Sequence, residues 1–350
     1  MVLSVQYLRG IAACMVLLEH IGLKSSQYST NVLSGWHVGG SGVDLFFLIS
    51  GFIMCHTMTE KHQQPNASLT FLWRRVQRII PLYWFVTCLA LVIYVLMPDK
   101  VNSSGGETDL LASFFLLPSN GSYLVANGWT LSYEFLFYTL FTLGLLFSRG
   151  VGSLLVVLVL SALAVFGFMH PQYSVWGMFL TNQLLLEFAV GIALSYYLPY
   201  INRLPTMAMP MLIGLGVGGL LAVNQGISSD IRVIDFGIPM VLIMAGALGL
   251  EKELQQRPNT LLNLLGSSSY AMYLIHPFIL VAAAMVLSKL GLTDVLNGWF
   301  FVVVLFIGST VGGWVLFKYV ETTMANFIKK QSLKPSRNHV QQNVVRAVDS

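Results

Sequence analysis

Ten stretches of about twenty mostly apolar residues follow one another along this chain, each as long as the α-helix that crosses a lipid bilayer. They lie near 4–23, 42–58, 76–97, 130–148, 152–169, 178–198, 208–224, 235–250, 263–288 and 297–318. The stretches 152–169 and 208–224 hold no charged side chain at all. Only 10% of the 350 residues are charged, against about 25% in a soluble domain, so lipid must solvate most of the surface. A backbone in lipid has to bond to itself, which leaves the helix as the spanning element for runs of this length. The predicted fold is therefore all-α: a polytopic integral membrane protein with about ten transmembrane helices around a reaction channel.

Charge placement orients the spans. With a cytoplasmic N-terminus, the outer segments hold Lys24, Lys100, Arg232 and Lys289, and the remainder of the 19 Lys and Arg fall on the inner side. The positive-inside rule accepts this assignment, rejects its reverse and favours an even number of spans. The basic excess thus reports topology, and a nucleic-acid partner is not expected. Cys14, Cys55 and Cys88 lie inside apolar runs and have neither disulfide nor metal-ligand spacing, so no metal is expected. The N-terminal run already contains Arg9, Glu19 and His20, unlike a cleavable signal. Residues 1–328 read as one transmembrane domain and 329–350 as a polar, disordered cytoplasmic tail.

An ionisable group inside a bilayer is expensive and usually faces a partner or a wet cavity. Arg9 and His20 are eleven residues apart, which leaves them about 20° from alignment on one helix face and roughly 16 Å apart along the axis. Asp44, Glu134 and His276 fall at nearly the depth of His20, with Tyr273 and Tyr270 one and two turns inward of His276. Two histidines and two carboxylates at one level can perform general acid–base work, carry protons or bind a cation. Asp44 can instead cap helix 2 after the turn Gly39-Gly40-Ser41-Gly42. Arg74, Arg75 and Arg78 share a 100° arc at the inner start of helix 3, where they suit a phosphate clamp or a lipid-headgroup anchor. Lys318 and Glu321 are spaced to pair, and Glu187 is a further buried charge.

Several motifs are familiar. Leu8-Arg9-Gly10-Ile11-Ala12-Ala13 followed by His20 resembles the opening helix of the acyltransferase 3 family of bacterial membrane acyltransferases, whose signature is an Arg, ten residues, then His. Gly42-Val43-Asp44-Leu45-Phe46-Phe47, Phe71-Leu72-Trp73-Arg74-Arg75-Val76-Gln77-Arg78, Trp129-Thr130-Leu131-Ser132-Tyr133-Glu134 and Tyr270-Ala271-Met272-Tyr273-Leu274-Ile275-His276 are similar to its later blocks, in family order. The resemblance covers roughly residues 3–325 and is nearest the compact exopolysaccharide-production branch. The chain departs from the pattern at Glu19, where the family usually has an apolar or aromatic residue, and after Glu321, where a proline commonly follows.

This resemblance implies a membrane O-acyltransferase of the bacterial inner membrane with both termini cytoplasmic. It would move acetyl, or another short acyl group, from acyl-CoA to a hydroxyl of a cell-envelope or exopolysaccharide sugar, lipid-linked or free. The implied roles are His20 as catalytic base with Arg9 as its partner, and Arg74, Arg75 and Arg78 gripping the donor phosphates. Glu134 joins the catalytic set; Asp44, His276, Tyr270 and Tyr273 line the channel. Acetyl-CoA is a donor substrate, and no cofactor is permanently bound. The alternative is a proton-coupled transporter or flippase for a sugar or glycolipid, using the same ionisable residues. The sequence leaves the sugar, the hydroxyl and the oligomeric state open.

Overall fold

The computed structural model describes residues 2–28, 32–33, 35–97, 107–292 and 298–332. Every regular element among them is helical: α1 (Leu3–Gln27), α2 (Ser41–Thr57), α3 (Ala67–Leu96), α4 (Leu110–Phe115), α5 (Gly128–Gly144), α6 (Arg149–Met169), α7 (Val175–Leu180), α8 (Leu185–Ile201) and α9 (Ala208–Asn224) come first. Then follow α10 (Ile238–Gly249), α11 (Glu251–Gln256), α12 (Thr260–Lys289), α13 (Gly298–Leu316) and α14 (Thr322–Ser332). Wide π-turns, Val233–Gly237 and Phe317–Glu321, lead into α10 and α14.

Five segments are long and apolar enough to cross a membrane: Ala67–Leu96, Arg149–Met169, Val175–Ile201, Thr260–Lys289 and Gly298–Gln331. Ser41–Thr57, Ala208–Asn224 and Val233–Gly249 are apolar but shorter. At 1.5 Å per residue, a 17-residue helix such as α2 is about 25 Å long, less than the hydrocarbon core.

Boundaries depart from the expected ones at three informative places. Helix α3 begins at Ala67, nine residues before the expected start, so the arginine cluster lies two turns inside the helix rather than at its mouth. The expected span 178–198 is broken, because Asn182 Oδ1 accepts the Leu184 N–H and α8 starts afresh there. That break puts Glu187 in the first turn of α8, 1% exposed, rather than in mid-helix. The last span does not stop at 318 but continues through its π-turn into α14. Residues 333–350 of the expected tail lie outside the described residues, as do 98–106 of the polar loop.

Helices α1 and α12 form the frame of the site. They run parallel and in register: Gln6 Nε2 donates to Ser267 Oγ at 2.8 Å near one end, and His20 meets His276 near the other. Glycine permits that closeness. A Cβ on Gly266 would strike the Gln6 carbonyl oxygen, and one on Gly10 would lie 2.8 Å from the Gly266 nitrogen. Where lipid competes for apolar contacts, small residues of this kind let membrane helices approach backbone to backbone. The same economy explains the cluster ahead of α2: a Cβ on Gly42 would strike the Ala12 carbonyl. Those glycines dock α2 on α1 and build no phosphate loop.

Asp44 caps no helix. It is fully buried and receives a two-point ion pair from Arg232, Nε to Oδ1 at 3.0 Å and Nη2 to Oδ2 at 2.7 Å. Arg232 belongs to the loop before α10 and keeps 36% of its side chain exposed, while Asp44 has none. Removing one partner of a buried pair strands the other, and here the strandings are unequal. Arg232→Met, which leaves the carboxylate unpaired in the interior, is expected to destabilise the detergent-solubilised protein by about 3 kcal/mol. Asp44→Asn, which leaves a partly hydrated guanidinium, should cost about 1 kcal/mol. Thermal melting of the two variants checks the order.

Candidate active site

A cavity of about 510 Å³ opens between α1, α2, α3, α5, α12 and the second π-turn. Arg9, Arg75, Arg78, Glu134, Tyr270 and Tyr273 are among its lining residues, together with Tyr138 and Glu321. Its size is that of an ordinary small-ligand site, with apolar walls and a few charged groups aimed inward. A second cavity, about 370 Å³, lies between α3 and α14 and is lined by Arg74, Arg75, Arg78, Glu321 and Lys329. The two share Arg75, Arg78 and Glu321, which form the neck between them. Arg75 Nε is buried without an acceptor among the described residues, and its guanidinium carbon stands 5.7 Å from the Phe71 ring centre. The expected Lys318–Glu321 pair is not formed: Lys318 Nζ sits 4.9 Å from the Trp314 ring centre, and Glu321 turns to the cavities.

The carboxylate of Glu134 is held by two hydroxyl donors, Tyr138 Oη at 2.6 Å and Ser50 Oγ at 3.2 Å. Tyr270 donates its hydroxyl to the Ile79 carbonyl at 2.9 Å, tying α12 to the arginine-bearing α3. Tyr273 meets Thr130 Oγ1 at 2.9 Å through its own hydroxyl, and its ring packs edge-on against Phe46. The backbone beneath it is pinned as well. Pro277 has no N–H to offer the Tyr273 carbonyl four residues back, and Asn127 Nδ2 takes that acceptor at 2.8 Å. Phe46, Thr130 and Tyr273 are among the lining residues of the larger cavity.

The two histidines are not among those lining residues. His20 Nδ1 and His276 Nε2 are 2.6 Å apart, with ring centroids 4.9 Å apart and planes within 24° of each other, so the rings meet edge to edge. The Tyr273 ring lies 6.1 Å from that of His276. His276 is 1% exposed, whereas His20 keeps part of its surface open. Arg9 thus lines the larger cavity and His20 does not, and Tyr273 is the residue that touches both the cavity and the histidine pair.

The expected level of two histidines and two carboxylates also resolves into three separate groups. Only the histidines meet. Asp44 is taken up by Arg232 and is not among the residues lining the larger cavity. Glu134 answers to Ser50 and Tyr138. Glu19 accepts the Gly39 N–H at 3.0 Å, holding the turn before α2. Tyr138, Ser50 and Thr130 escaped sequence reading because hydroxyl residues in an apolar helix usually bond their own backbone. Arg232 had a visible signal: it is one of the four cations that charge placement assigns to the outer side, at the expected depth of Asp44.

Residues 2–318 match the model of a family described as an acyltransferase domain. The chain is 31% identical to the exopolysaccharide production protein ExoZ of Rhizobium meliloti over 287 residues, covering 79% of this chain and 84% of ExoZ. It is 30% identical to the acyltransferase MdmB of Streptomyces mycarofaciens over 40% of this chain and 38% of MdmB. To the peptidoglycan O-acetyltransferase OatA of Listeria monocytogenes it is 29% identical, over 39% of this chain and 22% of OatA. No solved structure matches the chain.

Proposed function

Because the chain belongs to the acyltransferase 3 family, we propose that it transfers a short acyl group from acyl-CoA to a hydroxyl of a cell-envelope or exopolysaccharide sugar. The observation that carries this reading is the pair of cavities joined at Arg75 and Arg78. Four cations, Arg74, Arg75, Arg78 and Lys329, face the smaller cavity and suit the phosphates of a nucleotide. The larger, longer and more apolar one suits the pantetheine arm that ends in the thioester. Ten spans with cytoplasmic termini put that entrance on the side where acyl-CoA is made. The parallel course of α1 and α12 agrees with a chain that alternates direction, since these are its first and ninth spans. Residues 1–328 act as one catalytic unit in the inner membrane.

The chemistry is direct transfer. The acceptor hydroxyl gives its proton to the open nitrogen of His20 as its oxygen bonds to the acyl carbon. The carbon–sulfur bond then breaks, and the thiolate takes the proton back from the imidazolium. Glu134 and Arg9 hold opposite charges on the cavity wall and position the thioester. Relatives named for exopolysaccharide production and peptidoglycan O-acetylation support a carbohydrate acceptor. An apolar cavity with charged groups aimed inward also suits a transporter, and the donor distinguishes the two. Membranes given acetyl-CoA labelled in the acetyl group should place label in the carbohydrate fraction, and membranes of a deletion strain should not. Equal labelling in both, together with no saturable acetyl-CoA binding by the purified protein, would remove the enzyme reading.

A further inference from the structure

We infer that His276 is a positioning residue for His20: it fixes the tautomer that leaves the outer nitrogen of His20 free to take a proton, and it accepts the charge-assisted bond once that proton arrives. The inference rests on the reading of His20 as the base. Its starting point is a carbonyl. His276 Nδ1 lies 3.0 Å from the Met272 carbonyl oxygen, which can only accept, so Nδ1 carries the hydrogen of the neutral ring. The lone pair of His276 is then on Nε2, the atom 2.6 Å from His20 Nδ1. His20 Nδ1 must donate to it, and the lone pair of His20 falls on Nε2. Every nitrogen in the pair is assigned by one backbone oxygen.

Burial decides which ring meets substrate. Both nitrogens of His276 are engaged and the residue is 1% exposed, whereas His20 remains partly open. The proton therefore enters and leaves at His20 Nε2. While it is there, the imidazolium N–H at Nδ1 points at a neutral imidazole nitrogen, a bond stronger than its uncharged form. This is the office a carboxylate fills beside many catalytic histidines. Here Glu19 is engaged by Gly39, Asp44 by Arg232, and Glu134 by Ser50 and Tyr138. A neutral partner in an apolar site avoids burying a second charge. Gly10 and Gly266, by setting the spacing of α1 and α12, bring the rings to bonding distance ten residues further along both helices.

The test is chemical rescue in the full-length protein, reconstituted and supplied with acetyl-CoA and acceptor membranes. His276→Ala should lower kcat about 10- to 100-fold while leaving both KM values near wild type, since the lost bond is made to the base and not to a substrate. Added imidazole should restore turnover. Pyrrole, a ring of the same size with an N–H but no in-plane lone pair, should not. Equal rescue by pyrrole, or wild-type kcat in the unrescued variant, would overturn the inference. If His276→Ala does not fold, the comparison is His276→Gln, which keeps an acceptor, against His276→Met of similar length; equal turnover in that pair overturns it too. His20→Ala separates the premises. Full activity in that variant sinks the base itself, whereas an inactive His20→Ala beside pyrrole-rescued His276→Ala sinks only the positioning role.

Discussion

Replacing His20 by Ala should lower acyl transfer by about 10²- to 10⁴-fold, the usual worth of a positioned general base. Donor binding should survive, because the donor cavity is bounded by Tyr273 and Thr130 and its lining is carried by other residues. A substitution that disturbed packing generally would weaken both. His20 is partly open, so the methyl of Ala leaves space rather than strain. The measurement is acyl transfer to carbohydrate alongside acetyl-CoA binding to the same preparation. Transfer at the wild-type rate would remove the base assignment.

The second large effect belongs to the neck between the cavities. Arg75 and Arg78 line both spaces, and Arg75 Nε has no acceptor among the described residues. Each charge-assisted contact to a phosphate contributes about 1.5 kcal/mol or more, a factor of ten or so in affinity. Arg75→Ala with Arg78→Ala should therefore raise the KM for acetyl-CoA about 100-fold. Contacts to a remote nucleotide are equally strong in ground and transition states, so kcat should change little. Arg→Lys at both positions should recover only part of the loss, since the ammonium cannot make the two-pronged contact. Steady-state kinetics with donor varied at fixed acceptor gives the split. A fall in kcat with unchanged KM would place these arginines elsewhere in the cycle.

The helices themselves were legible because their signal is local. Runs such as 152–169 and 208–224 contain nothing that could be solvated by water in place of lipid, and helices stand at both. That Arg9 and His20 belong to one helix was legible in the same way. What lay outside the sequence was everything decided between helices. His20 and His276 are 256 positions apart, Asp44 and Arg232 are 188 apart, and no period within either helix names its neighbour. A common depth in the membrane was read as a common site, yet depth fixes one coordinate of three. Asp44 and Glu134 went to different partners accordingly. The π-turns at Val233–Gly237 and Phe317–Glu321 were equally hidden, because one extra residue in a turn leaves no compositional trace.

The Tyr273 ring has a consequence that reaches past the reaction. A protein hollowed from one face to the other would be a conduit for protons, and each charge that leaked would dissipate about 2.3 kcal/mol per 100 mV of membrane potential. The Tyr273 phenol is anchored to Thr130 while Asn127 holds the residue's own backbone carbonyl, so the ring that touches both the hollow and the histidine pair is fixed at two points and does not swing aside to let a continuous file of water form.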